Sequence, residues 1–393
     1  MKNHFDSVNF MSLEVHLDRV IPRNLPAVGA CVAALTFGGN GNAAEPAPPP
    51  DAAAVMQEWL SHPDTHSPSI SVAAFNASGI VWSGAFGLAD VAESTPATPT
   101  TRYCFASITK LHTALLLVQM SLEGTVDIDD KVTKYFPDFA PRYPEPGARP
   151  ITLRDLATHS SGLPNRWGKG WPTLEQLVEG ASERVLAIQP GYQSKYSNWG
   201  FSLLGMALAQ AADRSYESLV RGRIFEPLGM TDSGLDELYE APDLAKGYQL
   251  QDGALSSVNP LRHLNAHAPA SAVISTVEDM ARFGAAHFSK DTESPVPPLA
   301  QELLFMTHTT GSGFPSSTGL GWQGGGLPWK HGGSLQAHYT RLLVRPDVKV
   351  GIAIATNGPH AVMPEGALFA LLRPYADTSE LDAVCGIYAD ADG

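Results

Sequence analysis

Cysteine is scarce in this sequence, and what there is stands badly placed for structural chemistry. The three cysteines, Cys31, Cys104 and Cys385, form no CxxC pair, and their spacing suits neither a disulfide scaffold nor a zinc site. Positive charge is scarce too: 26 lysines and arginines stand against 40 aspartates and glutamates, a formal net charge of −14 over 393 residues. The basic residues are scattered, and an acidic chain without a basic patch repels phosphate backbones, which argues against a nucleic-acid partner. Long hydrophobic runs are also missing. The apolar stretch near the N-terminus, Ala27 to Gly39, is thirteen residues, too short for a stable membrane span. Nowhere does Gly-x-Ser-x-Gly occur, so the nucleophile elbow of the α/β-hydrolases is excluded by inspection. His263 and His267 are four apart, but no acidic third ligand accompanies them, so no metal and no other cofactor is implied.

What remains is an ordinary globular composition with 44% hydrophobic residues. Arg19 and Arg23, the short apolar stretch and Gly41-Asn42-Ala43-Ala44 follow the order of an export signal, so residues 1–44 are expected to be a signal segment and the protein periplasmic or secreted. A Pro/Ala linker is expected over 45–54, then a single domain over 55–393. Residues 69–75 and 80–88 read as strands joined by Asn76-Ala77-Ser78-Gly79, a hairpin turn. A helix runs from about Ser107 to Glu123 and stops at Gly124. It is apolar on every side from Ala114 to Val118, which marks a buried helix. Residues 125–265 read as mostly helical, with an N-cap at Thr152 and a helix over 198–212, and beyond them a capping box at Ser275–Glu278 opens a further helix through Phe283. Strands return around 330–335, 339–344 and 348–356, followed by a helix over 364–372. Two early and three late strands predict an α/β (α+β) fold with one antiparallel five-stranded sheet. Its sheet part spans about 55–124 and 266–376, with the helical part, about 125–265, inserted beside it and a tail over 377–393.

Ser107-Ile108-Thr109-Lys110 opens the buried helix. A serine there is ordinarily an N-cap. The lysine is anomalous: the first helical turn favours negative charge, and Lys110 lies on the same face as Ser107. Burial lowers a lysine pKa, and a neutral amine can take a proton from a serine hydroxyl. Two further clusters bear on this pair: Tyr196-Ser197-Asn198, which opens another helix, and His331-Gly332-Gly333-Ser334 on a late strand.

In that order the three motifs resemble those of the serine β-lactamase and penicillin-binding-protein superfamily. The class C β-lactamase-related branch, with its D,D-peptidases, D-aminopeptidases and family VIII carboxylesterases, is the most similar. Linking segments such as TLRDLATHSSGLP (152–164) and IFEPLGMTDS (224–233) extend the likeness to about residues 55–375. The resemblance implies Ser107 as nucleophile and Lys110 with Tyr196 as the proton-transfer system. It implies Asn198 as a hydrogen-bond partner of the substrate amide and of Lys110, and the N–H groups of Ser107 and Ser334 as an oxyanion hole. His331 and Gly333 would line the strand edge on which the acyl group lies. The residues 381–393 resemble the opening of a C-terminal β domain that longer relatives carry.

This chain departs from the pattern at the third motif, where His331 and Gly332 replace the Lys-Thr that would greet a β-lactam carboxylate. Ester or small amide and peptide substrates are therefore expected first. β-Lactam or D,D-peptide hydrolysis comes second, acyl transfer third, and an inactive sensor on the same fold last. Leu335 to His338 stand where relatives usually carry a glycine, which would narrow the acyl pocket. Trp199 and Trp329 flank the motifs as candidate substrate contacts, while Trp167, Trp171 and Trp322 are expected in packing. Cys104 is expected to be buried and inert, and His159 structural.

Overall fold

The computed structural model describes residues 47–166, 170–258, 264–307, 318–324, 328–360 and 362–377. The expected signal segment, Trp167, His263, Cys31, Cys385 and the tail beyond 377 lie outside these. In chain order, α1 (Pro50–Ser61) leads to β1 (Ser69–Asn76), β2 (Gly79–Asp90), β3 (Thr95–Pro96) and β4 (Tyr103–Cys104). A 3-10 turn (Ala106–Ile108) then opens α2 (Thr109–Leu122). The middle of the chain carries α3 (Leu153–Ala157), α4 (Leu174–Glu179), α5 (Asn198–Ala212), α6 (Tyr216–Val220), β5 (Tyr248–Gln251), β6 (Ala254–Ser257) and α7 (Ala268–Ser271). After it come β7 (Ile274–Ser275), α8 (Val277–Ala286), α9 (Pro298–Phe305), β8 (Trp329–Leu335), β9 (His338–Arg345), β10 (Val350–Thr356) and α10 (Glu365–Ala370).

The main sheet has the order β3-β2-β1-β10-β9-β8, all antiparallel. The five expected strands are there, with the two-residue β3 added at one edge. The first and last strands of the domain meet at its centre, where Ala73 pairs with Ala353. Every residue of β10 and all but the last of β1 are buried, so both faces of the sheet are covered. Alternation assigns the faces. Ile70, Val72 and Ala74 join Ile352 and Ile354 under Ala52, Met56 and Leu368 of α1 and α10. Ala73, Phe75, Ala353 and Ala355 face the larger core with α2 and α8. Gly284 and Gly351 make room there for one ring, since a Cβ on either would lie 2.2 Å from Phe75 Cζ.

Several local expectations need correction. The Pro/Ala segment is helical from Pro50, because proline suits the first helical position and the alanines after it favour a helix. The middle section is less helical than its pattern predicts: its helices are mostly short, and it holds the β5–β6 hairpin. That hairpin turns on Asp252-Gly253, both at positive φ. The helix start at 275–278 is displaced by one residue. Thr276 is the cap and accepts from Asp279 N–H, while Ser275 belongs to β7 and Glu278 accepts from the Ser83 hydroxyl. Leu335 to His338 close the β8–β9 hairpin, and Gln336 and Ala337 both adopt positive φ. This turn packs against Gly247, away from the residues that line the cleft described below.

Candidate active site

From Tyr103 to Val118 every residue is buried except Ser107, which is half-buried. The chain is held tightly around it. Cys104 N–H donates to His338 Nδ1 at 2.7 Å, and Phe105 N–H donates to Val273 O at 2.8 Å. Thr109 Oγ1 donates to Ala106 O at 2.5 Å and accepts from Val273 N–H at 2.9 Å. These bonds hold Ala106 in left-handed backbone, φ 49°, immediately before the serine. Such a conformation costs a non-glycine residue about 1–2 kcal/mol, and surrounding structure must impose it.

Lys110 is 0% exposed. Its Nζ lies 3.1 Å from Ser107 Oγ and donates to Ala270 O at 2.7 Å. It stands 4.9 Å from the centre of the Tyr196 ring and 5.7 Å from that of Phe201. Among the described residues no carboxylate pairs with it, and burial pushes its pKa well below that of a free lysine. Tyr196 precedes α5. Burial pushes its phenol up to about 12, and the Ser107 hydroxyl pulls in the other direction. Burial thus disfavours the charged form of both the amine and the phenol, so a resting tyrosinate is disfavoured.

Ser197 caps α5 by accepting from Gly200 N–H, and its hydroxyl donates to Pro164 O. Asn198 differs from expectation. Its Nδ2 donates to Asn165 Oδ1 at 2.8 Å, its Oδ1 is buried without a partner among the described residues, and it makes no bond to Lys110. The amine is satisfied instead by Ala270 of α7.

β8 supplies the opposite wall. Its tight hairpin makes Leu335 and His338 a hydrogen-bonded pair, and pairs alternate from there, so Ser334 and Gly332 direct their N–H and C=O groups away from β9. Lys330 follows the same alternation and bonds Gln323 on that outer edge. Gly333 is required by contact: a Cβ there would lie 2.1 Å from Phe105 O and 2.4 Å from Thr340 Oγ1. The strand edge thus abuts the turn that carries Ser107. His331 is buried, with Nδ1 2.7 Å from Gly332 O and its ring centre 6.2 Å from that of Tyr196. Burial, then the nearby Lys110, lowers its pKa to about 3, so it is neutral.

A cleft of about 290 Å³ is lined by His159, Ser194, Tyr196, Thr318, Gln323, Gly324 and Lys330. None of these is acidic. A larger groove of about 940 Å³, lined among others by Gln119, Glu123 and Arg223, lies toward the far end of α2 and contains none of the motif residues. Among the described residues no three His, Cys, Asp or Glu side chains converge as a metal site. His267 bonds Ser202 and Ser271 instead. Trp199 and Trp329, candidate substrate contacts, are buried in the core, as is Trp322, because their rings fill space behind the motifs. Cys104 is buried, and its thiol is pushed up to about 12 by desolvation. His159, expected to be structural, lies against Tyr196 and lines the cleft. His159, Lys330 and the Ala270 carbonyl are the site groups that local sequence pattern did not single out. Only His159 carries a signal, as a histidine at the stop of a helix.

An antiparallel sheet joined from both chain ends, with the S-x-x-K helix set against its edge strand, is the mixed α/β fold of β-lactamases and penicillin-binding proteins. The chain belongs to the Beta-lactamase family, whose model matches residues 51–376. It is 35% identical over 234 residues to the D-alanyl-D-alanine-carboxypeptidase/endopeptidase AmpH of Escherichia coli K12, covering 55% of this chain and 59% of that protein. It is 34% identical over 217 residues to Beta-lactamase-like protein 2 of Dictyostelium discoideum, covering 52% of this chain and 39% of that one. The octameric penicillin-binding protein homologue from Pyrococcus abyssi superposes with a TM-score of 0.67 at 26% identity, over 82% of this chain and 76% of that one. The matched region thus spans about 40–60% of the length of these curated relatives. Among the described residues no helix is long and apolar enough to cross a membrane.

Proposed function

We propose that the protein is a serine acyl hydrolase acting through an acyl-enzyme on Ser107. The observation that carries this reading is a buried, uncompensated lysine 3.1 Å from the one half-exposed residue of its segment. The neutral Lys110 amine takes the Ser107 proton as Oγ adds to the substrate carbonyl carbon. The oxygen of the tetrahedral intermediate is held by the N–H groups of Ser107 and Ser334. The first has no intrahelical partner and the second points off the sheet edge. Collapse breaks the bond to the leaving group, which receives the proton from Lys110 through the Tyr196 phenol. Water then adds to the acyl carbon, gives its proton to the same pair, and leaves the free acid and Ser107. With His331 neutral and buried, the third motif offers no charge to a substrate carboxylate, which favours uncharged esters or small amides. An alcohol or amine that replaced water would give acyl transfer.

A second reading has one observation in its favour. Lys330 lines the cleft, and its ammonium has no ion-pair or hydrogen-bond partner among the described residues. It supplies, one residue earlier and on the other face of β8, the positive charge missing at 331. A D,D-peptidase activity on peptides ending in a carboxylate would use it, and the E. coli relative carries such a name.

The test is labelling with a fluorophosphonate, read by intact mass, beside turnover of a p-nitrophenyl ester, a chromogenic cephalosporin and a D-Ala-D-Ala peptide. We expect a covalent adduct on the wild type and none on Ser107→Ala. Equal labelling of both would remove Ser107 as nucleophile. Ester turnover well above the others supports the first substrate class, and faster peptide turnover supports the second.

A further inference from the structure

His159 closes the loop after α3 in left-handed backbone, φ 58°. It is 3% exposed. Its carbonyl accepts the Lys195 N–H at 2.7 Å, and its Nδ1 accepts the Ser197 N–H at 3.1 Å. Those two amides belong to the residues on either side of Tyr196. Between them the imidazole lies against the phenol ring, with centroids 4.4 Å apart and planes inclined by 36°. One residue therefore fixes the backbone before Tyr196, the backbone after it and the face of its ring.

The tautomer follows from the partner. A backbone N–H can only donate, so Nδ1 carries the lone pair and Nε2 the proton. That Nε2–H is buried and has no partner among the described residues. Burial, then the nearby Lys110, holds the imidazole neutral. It is thus neither the base nor a counter-charge. The His159 backbone N–H donates to Leu156 O at 3.3 Å in the preceding helix end, while its carbonyl and Nδ1 both act on the segment that presents the phenol.

We propose that His159 is a positioning residue for the acyl transfer, holding Tyr196 in register with Ser107 and Lys110 through the two flanking amides and the ring contact. The inference rests on the Ser107–Lys110–Tyr196 reading. It adds that the decisive atom of His159 is the acceptor Nδ1. A misplaced catalytic group is costly even when nothing in contact with the substrate has changed, about 10²-fold for a shift near 1 Å.

Two variants separate the acceptor from the ring. His159→Asn keeps an acceptor at the same branch point and tolerates left-handed backbone, but removes the ring. His159→Phe keeps a ring and removes the acceptor. With the best substrate of the panel, we expect His159→Phe to lower kcat about 30- to 100-fold with KM within about twofold. His159→Asn should stay within about tenfold of wild type. Melting temperatures are measured alongside. Wild-type kcat in His159→Phe, or an equal loss in both variants, overturns the proposal. Should the Phe variant fail to fold, the Asn variant decides alone: a loss beyond about tenfold at unchanged melting temperature overturns the acceptor's role, and a smaller loss supports it. Ser107→Ala distinguishes the two levels. If it still forms the acyl adduct, the catalytic reading fails. If it does not, while the His159 variants behave as wild type, only the positioning role fails.

Discussion

Lys110 has no exposed surface and, among the described residues, no carboxylate partner, and both facts bear on its proton. Burial favours the neutral form, which is the form able to act as base. Activity should therefore fall as pH drops through the lysine's own lowered pKa, because protonation removes the base. On the alkaline side Tyr196 keeps its proton until about 12. A kcat/KM profile with an acid limb and a level stretch to pH 10 is expected, and an alkaline limb below pH 10 would contradict this assignment. Lys110→Arg, which stays charged, should lower kcat/KM about 10²–10⁴-fold, measured with the same ester. At this scale the sequence was partly legible. The wrong sign of Lys110 for its helix end and the apolar residues around it announced its burial. Nothing local announced Ala270 as its hydrogen-bond partner, because that contact joins residues 160 apart. The Asn165 that occupies Asn198 is likewise supplied by a distant loop.

Among the elements, β8 is held close against the Ser107 turn. Gly333 lets the strand pass against Phe105 O, and a methyl group there would overlap that carbonyl. Gly333→Ala should push the strand edge off the Ser107 turn and widen the oxyanion hole. Loss of one oxyanion donor typically lowers kcat about 10²–10³-fold. A fall of at least tenfold in acylation rate is expected from single-turnover measurement, and an unchanged rate would show that the edge does not set the hole. The hairpins and the α5 boundaries were readable because their signals lie within a few residues: Asn76 to Gly79 for one turn, Ser197 for one cap. The middle section was over-read as helix, because Pro- and Gly-rich connections between short helices keep an apolar rhythm without regular structure. The one-residue shift at Thr276 has a long-range cause. Asp279 is buried and accepts from Asp232 N–H and from the Ser233 hydroxyl, which fixes the residue whose N–H meets the Thr276 cap.

Across the described part of the molecule, several histidines are held neutral by burial. His112, His267 and His331 are lowered to about 3, and His287 and His338 to about 4. The unfolded chain would protonate each near 6.5, so acid favours unfolding. The contribution is fully present above pH 6.5 and is lost progressively as pH falls toward the folded values. Each such group can contribute a slope of about 1.4 kcal/mol per pH unit in that window. The melting temperature should fall steeply between pH 6.5 and 4.5, and a flat melting curve across that range would refute the linkage.

The pairing of β1 with β10 also fixes when the protein can be born. A ribosome delivers Ser107 and its apolar helix long before residues 329–356. Until those residues emerge, β1 has a bare edge and the serine has no opposite wall. Strand pairing across such a sequence distance is slow, and the waiting chain exposes greasy surface. A nascent or clipped chain that ends before β10 is therefore expected to be a client for chaperones and proteases, and to lack the wall that the proposed site needs. Full-length synthesis then assembles that site and covers the greasy surface in one event.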